Sequence, residues 1–237
     1  MTFSIVARCP DTGMLGVAIS TAIPAVGALC PAAAAGVGAL SSQAWVNPRL
    51  RLDGLAALRK GRAARDVVET LLADDPGREE RQLGIVDAHG HAAAFTGADC
   101  VPWQGHLVGD GYAIQGNMLV GADTLTAMEG AWHEQRGADL ADRLVASLEA
   151  GQSAGGDLRG RQSAALLVVD RAEHPLVDLR VDEHVDPVRE LRRIWLVAQV
   201  QLVPFVRLLP TREHPAGGKD EVVTEMIMRP PGERPAR

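Results

Sequence analysis

Thr2 is the residue whose type and position allow the most chemistry. It follows Met1 and heads an alternating apolar run, Thr2-Phe3-Ser4-Ile5-Val6-Ala7. Threonine is small enough that an initiator methionine is usually removed ahead of it, which would leave Thr2 with a free α-amine. Such an amine has an unperturbed pKa of roughly 7.7–8.0, so a useful fraction is neutral near pH 7. One residue then holds both a hydroxyl nucleophile and the base that activates it. The bland alternative is that a Met-Thr opening arises by chance. A nucleophile of this kind also needs donors for a tetrahedral oxyanion. Asn117, in Gln115-Gly116-Asn117, is the best candidate: a carboxamide donor after a strand, beside a glycine that admits close backbone approach. It serves equally well as the cap of a turn.

Two further stretches place polar groups where a pocket needs them. Gln43 and Asn47, in Ser42-Gln43-Ala44-Trp45-Val46-Asn47-Pro48, fall where a strand leaves its sheet, although Asn-Pro is also an ordinary turn starter. The run Gly155-Gly156-Asp157-Leu158-Arg159-Gly160-Arg161-Gln162-Ser163 precedes an apolar strand. Arg161 there is suited to grip a carboxylate, with Gln162, Ser163 and Gln115 as further substrate contacts. The same run equally suits a stiffened connection. It is not a phosphate loop, because the Gly-Lys-Ser/Thr ending is missing.

Other chemistries find little support. His89 and His91 flank Gly90 at an expected hairpin tip, and His106 and His133 lack companions at metal-ligand spacing, so neither a metal nor a cofactor is expected. Cys9, Cys30 and Cys100 are odd in number and widely spaced, which reads as buried thiols in a reducing cytoplasm. No Gly-x-Ser-x-Gly elbow is present. A net charge of −6 leaves no basic excess for nucleic acid. The apolar stretch from Ala22 to Leu40 is broken by prolines and glycines and does not suit a membrane span. No charged n-region opens the chain, so no secretory leader is expected and the cytoplasm is the expected location.

The elements that must position these residues follow from periodicity. Alternation and turn residues predict strands at Thr2–Arg8, Met14–Thr21 and Gly36–Gln43. Helices are expected over Leu50–Gly61 and Ala63–Ala73, then hairpins Arg81–Asp87/Ala92–Thr96 and Gly105–Val108/Tyr112–Gln115. A second helical pair, Asp123–Gln135 and Asp139–Glu149, precedes strands Ser163–Asp170 and Leu176–Val181 and a last helix from Asp186-Pro187. Segregated runs of strands and helices predict an α+β fold, with two stacked antiparallel sheets each covered by helices. The domain is expected to span residues 1–198. Residues 199–237 read as a proline-interrupted extension, disordered from Pro230.

Six blocks of the chain resemble the domain of unknown function 1028 family. They are MTFSIVAR, GVGALSSQAWVNP, DPGREERQLGIVD, AAFTGADCVPW, AIQGNML and GGDLRGRQSAALLVV, spread from Thr2 to about Leu196. The resemblance implies an N-terminal-nucleophile (Ntn) hydrolase fold, a four-layer αββα sandwich with the first residue at the end of a central strand. Within that superfamily a lysine often depresses the amine pKa. Here Lys60 lies near a helix end and Lys219 in the tail, so Arg8 or Arg161 is left as the cation, and arginine cannot act as a base. That disfavours a proteasome-like protease and leaves a small-amide hydrolase, with Thr2, Asn117 and Arg8 as catalytic candidates and a small-molecule substrate as partner. A non-catalytic ligand-binding protein on the same scaffold and a structural homo-oligomer, such as a homodimer, remain open alternatives.

Overall fold

The computed structural model describes residues 2–235; Met1, whose removal the nucleophile reading requires, lies outside the described residues, as do residues 236 and 237 of the expected disordered end. The elements run β1 (Thr2–Arg8), β2 (Leu15–Thr21), α1 (Val26–Leu29), β3 (Pro31–Ala34), β4 (Gly38–Ala44), α2 (Pro48–Arg59) and α3 (Ala64–Ala73). They continue with β5 (Arg81–Asp87), β6 (Ala92–Thr96), β7 (Gly105–Gly109), β8 (Tyr112–Asn117), α4 (Asp123–Glu134) and α5 (Leu140–Ser153). The rest are β9 (Ser163–Val169), β10 (Val177–Val181), α6 (Pro187–Gln201), α7 (Val203–Val206) and α8 (Glu221–Met228).

Two antiparallel sheets form, one in the order β10-β9-β2-β1-β8-β7 and the other β3-β4-β5-β6. Alternation along β1 divides its side chains. Phe3, Ile5 and Ala7 face outward into a core with Leu125, Met128 and Trp132 of α4 and Leu144 and Leu148 of α5. Thr2, Ser4 and Val6 face the second sheet, as the period of two requires. On the second sheet, Leu40, Leu83 and Ile85 pack outward against Leu50, Leu58, Val67 and Leu72 of α2 and α3. The result is helices, sheet, sheet, helices: the α+β four-layer sandwich expected.

Local signals account for the boundaries. Asn47 caps α2, its Oδ1 accepting from the Arg49 N–H at 3.1 Å, and Pro48 occupies the first turn where its missing N–H costs nothing. The unassigned stretch before β4 holds α1 and β3. Pro31 opens β3, which pairs with β4 alone and is therefore an edge strand, a position that tolerates proline. The boundary expected at 198 falls inside α6, because Ala198 is a buried core residue. The extension beyond it is folded: Val206 joins the core that holds Leu176 and Trp195, and Pro231–Glu233 makes a short 3₁₀ turn where disorder was expected. Among the described residues no helix is long and apolar enough to cross a membrane.

Candidate active site

The Thr2 end of β1 is where polar side chains from both sheets converge. Thr2 lies opposite Thr21 on β2 and opposite Asn117 on β8, and Thr21 lies opposite Ser163 on β9. One row of the large sheet therefore reads Ser163, Thr21, Thr2, Asn117, every member buried. The Thr2 and Thr21 hydroxyls lie 3.2 Å apart. One step along the strands, Ser4 lies opposite Gln115, and the Gln115 amide donates to the Ser4 hydroxyl.

The second sheet answers with amides. Gln43 of β4 accepts from Ser4 at 2.7 Å and from Ser41 at 3.1 Å, and its Nε2 donates to Gln82 Oε1 at 2.8 Å. Gln82 Oε1 also accepts from Asn117 Nδ2 at 2.8 Å, while Gln82 Nε2 donates to the Gly116 carbonyl at 2.7 Å. Gln82 is thus the clasp between the sheets. Gly84, one inward position along β5, makes room for the Gln115 carboxamide: a Cβ there would sit 2.0 Å from Gln115 Oε1. The chain turns out of the sheet directly after two of these amides, at Ala44 (φ 69°) and Met118 (φ 50°), both left-handed and so disfavoured for side-chain-bearing residues.

The bonds of this network join hydroxyls, amides and backbone groups of the described residues. Charges stand around it in pairs. Asp157, buried, accepts from the Ala22 N–H at 3.0 Å and from the Arg159 N–H at 2.9 Å. Arg161 meets Asp186 at 3.1 Å. Asp75, held down to about 2 by hydrogen bonds from Arg81 that outweigh its burial, meets that arginine at 2.9 Å. Burial pushes the Cys30 thiol up to about 12 and also raises Cys100, which disfavours either as a thiolate nucleophile.

The expected residues divide sharply. Thr2, Asn117, Gln43, Gln115 and Ser163 do come together. Gln43, however, spends its hydrogen bonds inside the network, Gln115 Nε2 donates to Ser4 while its buried Oε1 has no partner, and Ser163 Oγ donates to the Ile23 carbonyl at 2.6 Å and accepts from the Val26 N–H at 3.2 Å. Gln162 contributes backbone only, its N–H bonding the Thr21 carbonyl at 2.8 Å and its carbonyl accepting from His184. Asn47 is a helix cap whose Nδ2 also donates to Asp75 at 3.1 Å, so it is part of the frame and not of the pocket. Arg8 is a correction. It sits at the opposite end of β1, six residues from Thr2, roughly 20 Å away at strand rise, and cannot act on a Thr2 amine. Sequence reasoning missed Gln82, Ser4, Ser41 and Thr21. The signal was a polar residue at each inward position of an otherwise apolar strand, legible for Ser4 two residues after Thr2.

Exposed apolar side chains accompany the charged pairs near this end. Ile23 (47% exposed), Trp45 (74%), Val120 (49%) and Leu158 (66%) project from the loops that follow Thr21, Gln43, Asn117 and Asp157. Three cavities of about 390–550 Å³ lie elsewhere, none lined by Thr2. Among the described residues no three His, Cys, Asp or Glu side chains converge as a metal cluster.

Protein SPO2555 from Silicibacter pomeroyi, assigned to DUF1028, superposes with a TM-score of 0.84 at 32% identity, over 92% of this chain and 99% of that one. Anbu (ancestral beta-subunit) from Yersinia bercovieri gives a TM-score of 0.37 at 12% identity, over 88% of this chain and 98% of that one. An Anbu Gly-1 mutant from a Hyphomicrobium strain gives 0.42 at 15% identity, with the same coverage. No curated protein matches the chain. The model of the family of unknown function DUF1028 matches residues 2–191, and with a relative at 32% identity sharing the fold almost end to end, the chain belongs to that family.

Proposed function

We propose that the protein hydrolyses a small amide, of an acylated amino-acid-like kind, with Thr2 as an N-terminal nucleophile after loss of Met1. Thr2 Oγ1 attacks the amide carbonyl while the freed α-amine takes the hydroxyl proton. The tetrahedral oxyanion collapses, the C–N bond breaks, and the ammonium returns its proton to the leaving amine. Water then attacks the resulting ester by the same proton route and restores the Thr2 hydroxyl. As written, the reaction needs no cofactor.

The observation that carries this reading is the placement of Thr2, buried, at the head of a central strand with Thr21 and Asn117 directly beside it. The one imidazole that the network's bonds reach among the described residues, His106, is separated from Thr2 by Thr96 and Gln82, and an amine on Thr2 itself is the base this reading uses. Asn117 Nδ2 carries two protons and gives one to Gln82, which leaves the other for the oxyanion. Arg161, half-exposed beside Asp186, exchanges that partner for a substrate carboxylate in this reading. The apolar rim of Ile23, Trp45 and Leu158 suits the acyl portion.

The test is the intact mass of the purified chain together with amine release from a panel of N-acyl amino acids. Loss of Met1 and turnover abolished in Thr2→Ala are expected. Retention of Met1 on every molecule, or undiminished turnover in Thr2→Ala, would overturn the reading. One observation favours a second reading, a non-catalytic ligand-binding protein: among the described residues three cavities of about 390–550 Å³ have linings that do not include Thr2. Ligands that raise the melting temperature without being consumed are its signature.

A further inference from the structure

At the far end of β1 from Thr2, four turns meet: the β1–β2, β5–β6 and β7–β8 hairpin turns and the link between α4 and α5. They enclose a cavity of about 550 Å³ lined by Arg8, Asp11, Asp110, Trp132, Arg136 and Arg143, among others. Two backbone bonds hold its floor, from the Gly111 N–H to the Gly90 carbonyl at 3.1 Å and from the Arg8 N–H to the Gly111 carbonyl at 2.8 Å.

Arg143 is the anomaly. It is only 7% exposed, and its guanidinium lies 3.5 Å over the Trp132 ring. Its Nη2 donates to the Trp132 carbonyl at 3.0 Å, which serves the last turn of α4. Its Nε, buried, has no acceptor, and neither does the buried Nε of Arg8. Among the described residues, none of Arg8, Arg136 and Arg143 forms an ion pair. Two other guanidiniums shielded from solvent do meet carboxylates, Arg81 with Asp75 at 2.9 Å and Arg192 with Asp142 and Glu149 at 2.8 Å each, whereas half-buried Arg51 gives its Nη1 to the Pro31 carbonyl at 3.1 Å. A buried cation without its anion is costly, and the cost falls away when an anion arrives.

We propose that this cavity binds a small oxyanion, a carboxylate or a phosphate, held between the guanidiniums of Arg143 and Arg8. Planar guanidinium forks match the paired oxygens of either group. Asp11 and Asp110 stand exposed at the mouth, which disfavours a polyanion and limits the ligand to a small one. The site is independent of Thr2: it stands whether or not that residue is a nucleophile.

The test titrates the full chain with inorganic phosphate and, separately, with acetate at constant ionic strength, reading heat and tryptophan emission. Trp132 beneath Arg143 reports occupancy. Saturable binding of at least one anion is expected, and the better of the two assigns the ligand as phosphate or carboxylate. Both Arg143→Lys, which keeps the charge but loses the fork, and Arg8→Gln should weaken it about tenfold or more, as the loss of a charge-assisted bond predicts. If Arg143→Lys does not fold, Arg8→Gln at the end of the strand supplies the same comparison. No saturable binding of either anion, or binding unchanged in the folded variants, overturns the proposal.

Discussion

The two sheets meet through Val6, Leu15, Val17, Ala39 and Val86 at one end of β1, and through Ser4, Ser41, Gln43, Gln82, Gln115 and Asn117 at the other. Both ends are buried, and the same strands pass through both. The apolar end is held by area and shape, which are forgiving of detail so long as volume is kept. The polar end is held by directed bonds in a place water does not reach, where each missing partner leaves another group unsatisfied. A fold needs only the first kind of contact to stack two sheets. The second kind fixes side chains in one arrangement, which is what a site requires.

Substitutions can break this contrast. Gln82→Met conserves shape but removes the carboxamide, oxygen and nitrogen together. It strands the buried Asn117 donor and leaves Gln43 only its longer bonds to the Thr2 and Gln115 carbonyls, so a loss of about 1–3 kcal/mol or more is expected in urea unfolding. At the apolar end, Leu15→Ala should cost about 2–5 kcal/mol through the cavity it leaves. Leu15→Met should cost less than about 1.5 kcal/mol. If Gln82→Met proves as mild as Leu15→Met, the polar end is merely filler and the contrast fails.

Acid sharpens the same comparison, because the polar end is framed by a carboxylate. Asp75 is depressed from 3.8 to about 2 by Arg81, so its stabilisation is complete above pH 4 and lost as pH falls through 2. That shift corresponds to about 2 kcal/mol, and stability measured by denaturant between pH 5 and pH 2 should decline accordingly. Asp75→Asn should remove most of that slope. The smallest effect is expected at Asn47→Ala, about 1 kcal/mol from the lost cap of α2. It should lower the melting temperature with no change in any turnover; a change in substrate affinity would return Asn47 to the pocket.

Most of the strands and helices were legible from the chain, and the reasons are local. The run Thr2–Arg8 alternates, Asp74-Asp75-Pro76-Gly77 stops α3, and Asn47-Pro48 starts α2, each a signal carried by neighbouring residues. The misses are equally physical. β3 begins with a proline, which argues against a strand unless the strand lies at an edge, and edges are assigned by the assembled sheet. Gln82 looked like one polar residue in a short strand, because nothing nearby in sequence shows that Gln43 and Asn117 will face it.

By itself the sequence determined the order of elements, the inward and outward faces of each strand, and Thr2 as the residue at the head of β1. All of these depend on spacings of a few residues. Only the tertiary structure decided that Asn117 and Thr21 flank Thr2, and that Arg143 is buried beside a cavity with no ion-pair partner among the described residues. Those relations join residues from about 20 to more than 100 positions apart. They are set by which strands pair and which helices cover them, which periodicity along one segment cannot encode.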